Sequence, residues 1–365
     1  MDRYRPAVGT PIEELDTPCL IVDLDAVENN YRAVADRYRG KVCQMRQHTK
    51  NIKSPTLARM QIRAGGAHDG VCTAKLSEAE VMVEHGITDV LIPNQVVTAD
   101  KIARLSALQR QGDVKVCIDN EQNVRDLSAI AEAHGVKIGV LIEVDTSMGR
   151  AGVRNPEQGA ELAKLAESLP GVTFRGVMSH QHLEDFVDTE SRILTARQYI
   201  QRCLDVKDAI EAEGIPVEIV SSGETFSYDA AADLPGVTEV EGGTYALMGT
   251  SYGYMEEFQI ANKVLSTIVS TPGPGIAIGD AGLRALSWPS GPPTVEGLPG
   301  VMVDSLHAEH AVLRSDGTTA VEVGQQFMLL PWYQDMMVNR WDQYIAVREG
   351  VVEDVWDIPA RGCVH

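Results

Sequence analysis

The chain has 365 residues, 44% hydrophobic and 23% charged, with 32 glycines, a composition that excludes disordered and fibrous classes. That length exceeds what one hydrophobic core usually supports, so a large domain with a smaller companion is expected. The 52 acidic against 32 basic residues give a formal net charge of -20, which repels polyanions and excludes nucleic acid as a natural partner.

In chain order, the start Met1-Asp2-Arg3-Tyr4-Arg5-Pro6 lacks the apolar core of a signal peptide. No later run approaches the roughly 20 apolar residues that span a bilayer, so a cytoplasmic protein with no membrane partner is expected. The run Cys19-Leu20-Ile21-Val22-Asp23 predicts a strand. From about residue 25 to about residue 260, short apolar runs alternate with longer helical patterns. Strands are predicted at 41–47, 70–73, 89–92, 114–118, 138–144, 174–178, 217–220 and 238–242. The stretches 77–85, 99–109, 121–133, 156–168, 189–213 and 224–232 carry helix formers with apolar residues three and four apart. Eight parallel strands with helices between them close into a (β/α)8 TIM barrel. From about Lys263 the runs shorten and are broken by Gly, Pro and Asp turns, at 264–269, 275–278, 301–305, 311–314, 326–330, 343–348 and 351–356. This predicts an all-β domain, to which the 19–23 run would add a strand. The expected division is a barrel over 27–262 and a β domain made of 1–26 with 263–365. The six cysteines form no CxxC motif and are expected to be reduced and mostly core.

Several side chains in this layout carry chemistry. The predicted strand at 41–47 runs into His48-Thr49-Lys50, which places Lys50 at a strand end. Barrel active sites collect strand-end residues, and a lysine there is an amine nucleophile suited to a Schiff base. The alternative is that Lys50 and Lys53 are solvated charges opening the helix that Ser54-Pro55 would start. Ser222-Gly223-Glu224-Thr225 and Gly242-Gly243-Thr244 follow the last two barrel strands, where backbone N–H groups and hydroxyls cradle phosphate. Arg150, in the loop after the 138–144 strand, suits a cofactor oxygen or a carboxylate as well as it suits a surface ion pair. His180 and His182 flank Gln181 after the 174–178 strand, and imidazoles there could act as bases or simply satisfy hydrogen bonds.

These residues carry a resemblance that runs over nearly the whole chain. The segments Asp16-Thr17-Pro18-Cys19-Leu20-Ile21-Val22-Asp23, His48-Thr49-Lys50 with Lys53-Ser54-Pro55, Gly149-Arg150-Ala151-Gly152, Ser221-Ser222-Gly223-Glu224-Thr225, Glu241-Gly242-Gly243-Thr244-Tyr245 and Asp280-Ala281-Gly282 occur in family order. The chain resembles the fold-type III pyridoxal-phosphate enzymes, and within them the branch of D-threonine aldolase, 3-hydroxy-D-aspartate aldolase and D-serine dehydratase. The resemblance implies an alanine racemase N-terminal-like barrel followed by a D-serine dehydratase-like β domain. It implies pyridoxal 5'-phosphate as cofactor, joined to Lys50 as an aldimine. His48, Arg150, Ser222, Gly223, Thr225, Gly242, Gly243 and Thr244 would surround that cofactor. A homodimer is implied as well, acting on a small amino-acid substrate.

Two positions depart from the family pattern. His180 stands where a tyrosine usually lies near the cofactor. The branch places a His-x-Asp or His-x-Cys pair after a proline to bind a divalent metal, and here Pro331-Trp332-Tyr333-Gln334-Asp335 puts Tyr333 at the histidine. A neutral phenol is a poor ligand for first-row metals, so no functional metal is expected. The nearby His307-Ala308-Glu309-His310 offers other ligand types, but a strand would turn the two imidazoles to opposite faces. The leading expectation is a lyase that cleaves D-configured β-hydroxy amino acids by retro-aldol chemistry, with His180, His182 or Tyr333 replacing the metal's assistance. The alternatives are a D-serine dehydratase-like β-eliminase, a racemase or epimerase, and a non-catalytic carrier of the cofactor.

Overall fold

The computed structural model describes residues 4–288 and 291–365. The chain divides into two compact units. One is built from Val34–Lys50, Leu57–Gly243 and Cys363–His365, and the other from the N-terminal segment through Ala33, Asn51–Thr56 and Thr244–Gly362. The strands, in chain order, begin with β1 (Cys19–Asp23). Next come β2 (Gln44–His48), β3 (Ala67–Cys72), β4 (Asp89–Ile92), β5 (Asp113–Ile118), β6 (Ile138–Glu143), β7 (Val172–Ser179), β8 (Ile219–Ser222) and β9 (Glu239–Val240). The remainder are β10 (Asn262–Gly273), β11 (Ile276–Gly279), β12 (Thr294–Glu296), β13 (Val301–Leu306), β14 (Ala311–Ser315), β15 (Gln326–Leu330), β16 (Gln343–Arg348) and β17 (Val351–Asp357).

In the first unit β2 to β9 form a closed parallel barrel, the architecture expected from the eight strand signals. Its interior is layered because alternate strand residues point inward. Cys72, Leu91, Cys117, Leu141, Met178 and Ile219 pack as one apolar layer. Toward the N-terminal ends of the strands the interior becomes ionic. There the buried Arg46 guanidinium bonds Glu239 at 2.9 Å and Asp89 at 2.6 Å, and Lys115 reaches Asp89 at 3.1 Å and Asp113 at 2.8 Å. Burial raises the Asp89 pKa, but Arg46 and Lys115 outweigh it and hold the carboxyl below its ordinary range. A buried charge survives when it is paired on several sides in this way.

The outer helices begin where the sequence supplies caps. Asn120 accepts from the N–H groups of Gln122 and Asn123 at the head of Glu121–Ala133, and Asp188 accepts from Ser191 at the head of Thr189–Ala212. The helix expected at 224–232 is instead a 3-10 turn, Thr225–Ser227, followed by a single turn, Tyr228–Ala231. The Ser227 hydroxyl accepts from the Glu224 N–H at 2.9 Å and closes a tighter turn than an α-helix.

The second unit carries a nine-stranded sheet in the order β13-β14-β11-β10-β1-β16-β17, with β15 joining β10 to β12. As expected, 19–23 belongs here: β1 pairs antiparallel with β10 and parallel with β16. β12, three residues long, was too short to show a period in the sequence. His307 and His310 lie not in a strand but in the turn between β13 and β14, where the His307 N–H donates to the His310 carbonyl at 2.8 Å. Glu309 pairs with Arg284 at the surface at 2.6 Å. All six cysteines are free, five of them buried. No described helix is long and apolar enough to cross a membrane.

Candidate functional site

In the barrel unit, Lys50 lies just past the end of β2, half-buried, in a turn anchored on three sides. The His48 N–H donates to the Gly242 carbonyl at 2.8 Å, joining the β2 end to the loop after β9. The Thr49 N–H and hydroxyl both donate to the Cys72 carbonyl, at 2.8 and 2.9 Å. The Lys50 N–H faces His48 Nδ1 at 3.4 Å. The lysine is thus held where barrel strands end, the place the sequence expectation required.

Two loops converge at the last strands. Gly223 has φ 128°, and a Cβ there would stand 3.0 Å from the Val240 side chain and 3.2 Å from Ser227 Oγ. Only glycine fits that turn. The Gly243 N–H donates to Thr225 Oγ1 at 3.3 Å, which ties the two predicted phosphate loops together. Ser222 Oγ is committed beneath the loop, 2.8 Å from Ser179 Oγ and 3.3 Å from the Gln181 amide. Thr244 opens a short 3-10 turn and begins the segment that belongs to the second unit.

The electrostatics single out groups that the sequence did not mark. Glu224 is buried, and desolvation with the neighbouring Glu184 raises its pKa well above the carboxylate range, against the pull of Lys50 and Arg192. That favours its uncharged form beside a phosphate-type loop. Glu241 is buried below, receives the Ser221 hydroxyl at 2.8 Å, and is pushed up to about 8, chiefly by burial. His180 is pushed the other way, down to about 3, by desolvation and by Lys50, Arg150 and His182 around it. Its imidazole is therefore neutral at physiological pH. His182 is exposed and faces Asp185 at 3.2 Å. Arg150 is also exposed, 3.8 Å from buried Glu143, whose other oxygen accepts from Gln95 at 2.6 Å.

The barrel unit thus gathers Lys50, His48, Arg150, His180, His182, Ser222, Gly223, Thr225, Gly242 and Gly243. Tyr333 belongs to the other unit. There its hydroxyl donates to Asp335 Oδ2 at 2.7 Å, and Asn51 Nδ2 donates to Asp335 Oδ1. The Tyr252 ring meets Tyr333 edge-on at 6.5 Å, and Ser287 Oγ donates to its carbonyl at 3.1 Å. Among the described residues no group of three or more His, Cys, Asp or Glu side chains is placed to hold a metal ion.

The family model for the alanine racemase N-terminal domain matches residues 22–251, and that for a putative serine dehydratase domain matches residues 261–347. The chain belongs to the alanine racemase-like, fold-type III family. Over 97% of its length, this fold-type III chain is 37% identical to 3-hydroxy-D-aspartate aldolase of Paracoccus denitrificans (strain Pd 1222), covering 94% of that protein. The crystal structure of D-threonine aldolase from Filomicrobium marinum matches with a TM-score of 0.94 at 32% identity, over 99% of this chain and 100% of that one. D-threo-3-hydroxyaspartate dehydratase of Delftia sp. (strain HT23) is 30% identical over 86% of this chain and 88% of its own. The fold-type III chain therefore sits in the branch of D-amino-acid aldolases and dehydratases, which are lyases. Its residues Gln181 and Glu143 escaped the sequence reading because no spacing or motif marks a polar side chain that is buried by folding, and Glu224, although part of the 222–225 motif, carried no signal there of its buried, raised carboxyl.

Proposed function

We propose that this protein is a pyridoxal-phosphate-dependent lyase that cleaves the Cα–Cβ bond of D-configured β-hydroxy amino acids to an aldehyde and glycine, without a divalent metal. The observation that supports it most is the Lys50 turn hydrogen-bonded through His48 to the Gly242 loop, in a chain 37% identical over its length to an aldolase. The barrel's residues suit the cofactor. Lys50 offers the amine for its aldehyde, the 222–225 and 242–244 loops offer backbone and hydroxyl donors for its phosphate, and Arg150 offers a guanidinium for an oxygen.

Pyridoxal phosphate, when bound, supplies an electron sink for the pair released at Cα. The chain's residues must then orient the substrate and move its protons. His180, kept neutral, accepts a hydrogen bond without adding positive charge, and its low basicity makes it a poor proton store. The β-hydroxyl proton is assigned to Tyr333, because the resemblance gives position 333 the role of the metal-binding histidine. A phenol whose proton is directed to a carboxylate presents its oxygen as an acceptor, so a substrate proton can move to Tyr333 Oη while the phenol proton moves to Asp335 Oδ2. With donors on both Asp335 oxygens, this residue set suits a proton relay better than a cation.

A second reading, β-elimination, is favoured by the 30% identity to a dehydratase. The test is turnover of a panel of D- and L-β-hydroxy amino acids by protein supplied with pyridoxal phosphate, with and without chelator. Glycine and an aldehyde should form from D members only, at a rate the chelator does not change. An oxo acid with ammonia would replace the aldol reading by elimination, deuterium uptake at Cα without cleavage would replace it by racemisation, and loss of rate with chelator would overturn the metal-free assignment.

A further inference from the structure

The two histidines that stand out after β7 enclose a residue that the function proposed above does not use. Gln181 is 1% exposed, and both ends of its amide are bonded. Nε2 donates to Ser179 Oγ at 3.0 Å and to Ser222 Oγ at 3.3 Å. Oε1 accepts from Ser227 Oγ at 3.2 Å. Ser227 Oγ in turn accepts from the Glu224 N–H at 2.9 Å, and its hydroxyl has Gln181 Oε1 as the nearer acceptor, ahead of the Glu224 carbonyl at 3.4 Å. One side chain thus ties together the end of β7, the end of β8 and the 3-10 turn Thr225–Ser227. All three serines are inaccessible to solvent, so water cannot replace a lost partner.

We infer that Gln181 is a positioning residue for the phosphate end of the cofactor site, an inference that rests on the proposed binding of pyridoxal phosphate. Gln181 holds the loop; Gly223 and Thr225, which the loop carries, meet the phosphate. Without the amide, Ser227 loses its nearer acceptor and its tie to β7 and β8, keeping only the Glu224 carbonyl of its own turn at 3.4 Å, and the turn that sets the loop's donors is free to shift. Preorganised donors bind an anion because they need no reordering, so the loss appears in phosphate affinity.

The experiment titrates the full-length protein, stripped of bound cofactor, with pyridoxal phosphate and separately with pyridoxal, which lacks the phosphate. Gln181→Met removes the amide at nearly constant volume, and Ser227→Ala removes the opposite partner if the first variant folds poorly. Both should weaken pyridoxal phosphate by about tenfold or more while leaving pyridoxal affinity unchanged. Equal losses for the two ligands, or no loss for pyridoxal phosphate, would overturn the inference. A wild-type protein that binds neither ligand would overturn the proposed function, and this inference with it.

Discussion

The His180 imidazole has an ordinary pKa of 6.5 that its surroundings push down to about 3, through desolvation first and then the charges of Lys50, Arg150 and His182. The sign of the linked stability follows. Above pH 6.5 both folded and unfolded imidazoles are neutral, so the group adds no pH dependence there. As pH falls from 6.5 toward 3 the unfolded ring protonates and the folded one does not, so stability declines across that window. We expect the His180 ring resonances to stay unchanged down to about pH 4, and His180→Gln to flatten the acid side of the stability profile. A titration midpoint near 6.5 in the folded protein would contradict this. The same residue shows what a sequence carries at this scale. Its place after a strand marked it as a candidate, but its neutral state depends on burial and on Lys50 and Arg150, which come from two other segments of the chain. Lys50 was legible because strand-end position alone gives it meaning, whereas Gln181 is a polar residue whose partners lie two and forty or more positions away.

At the scale of the elements, β7 and β8 show how little space the barrel leaves. Gly176 has φ 156°, and a Cβ there would fall 1.8 Å from the Ile219 carbonyl oxygen of the neighbouring strand. The close approach joins the register Gly176↔Ile219, Val177↔Val220, Met178↔Ser221, Ser179↔Ser222, which sets the Ser179–Ser222 pair under the loop. Gly176→Ala must therefore push backbone against backbone, with a cost of at least about 2–3 kcal/mol in denaturant unfolding. An unchanged midpoint would show that the two strands separate freely. All eight barrel strands were legible, because apolar runs separated by helical patterns repeat at regular distances. The turn after Gly223 was not, since a serine hydroxyl at 227 competes with the helix ladder, and sequence periodicity does not record that competition.

For the whole molecule, the sheet unit assembles segments far apart in the chain. β1 pairs with β16 across more than 300 positions, and Tyr344 donates its buried hydroxyl to the Ile52 carbonyl at 2.9 Å. The segment Asn51–Thr56 thus belongs to the sheet unit although it directly follows the barrel lysine. The two-part grammar of the sequence announced a barrel and a β domain. It did not announce this crossing, because 51–56 carries helix-start signals and no strand pattern. The central claim is that Lys50 carries pyridoxal phosphate. Borohydride reduction of the cofactor-loaded protein followed by peptide mapping tests it directly: the account predicts the pyridoxyl group on Lys50 and none in Lys50→Ala, and a label on another lysine, or none on the wild type, would contradict it.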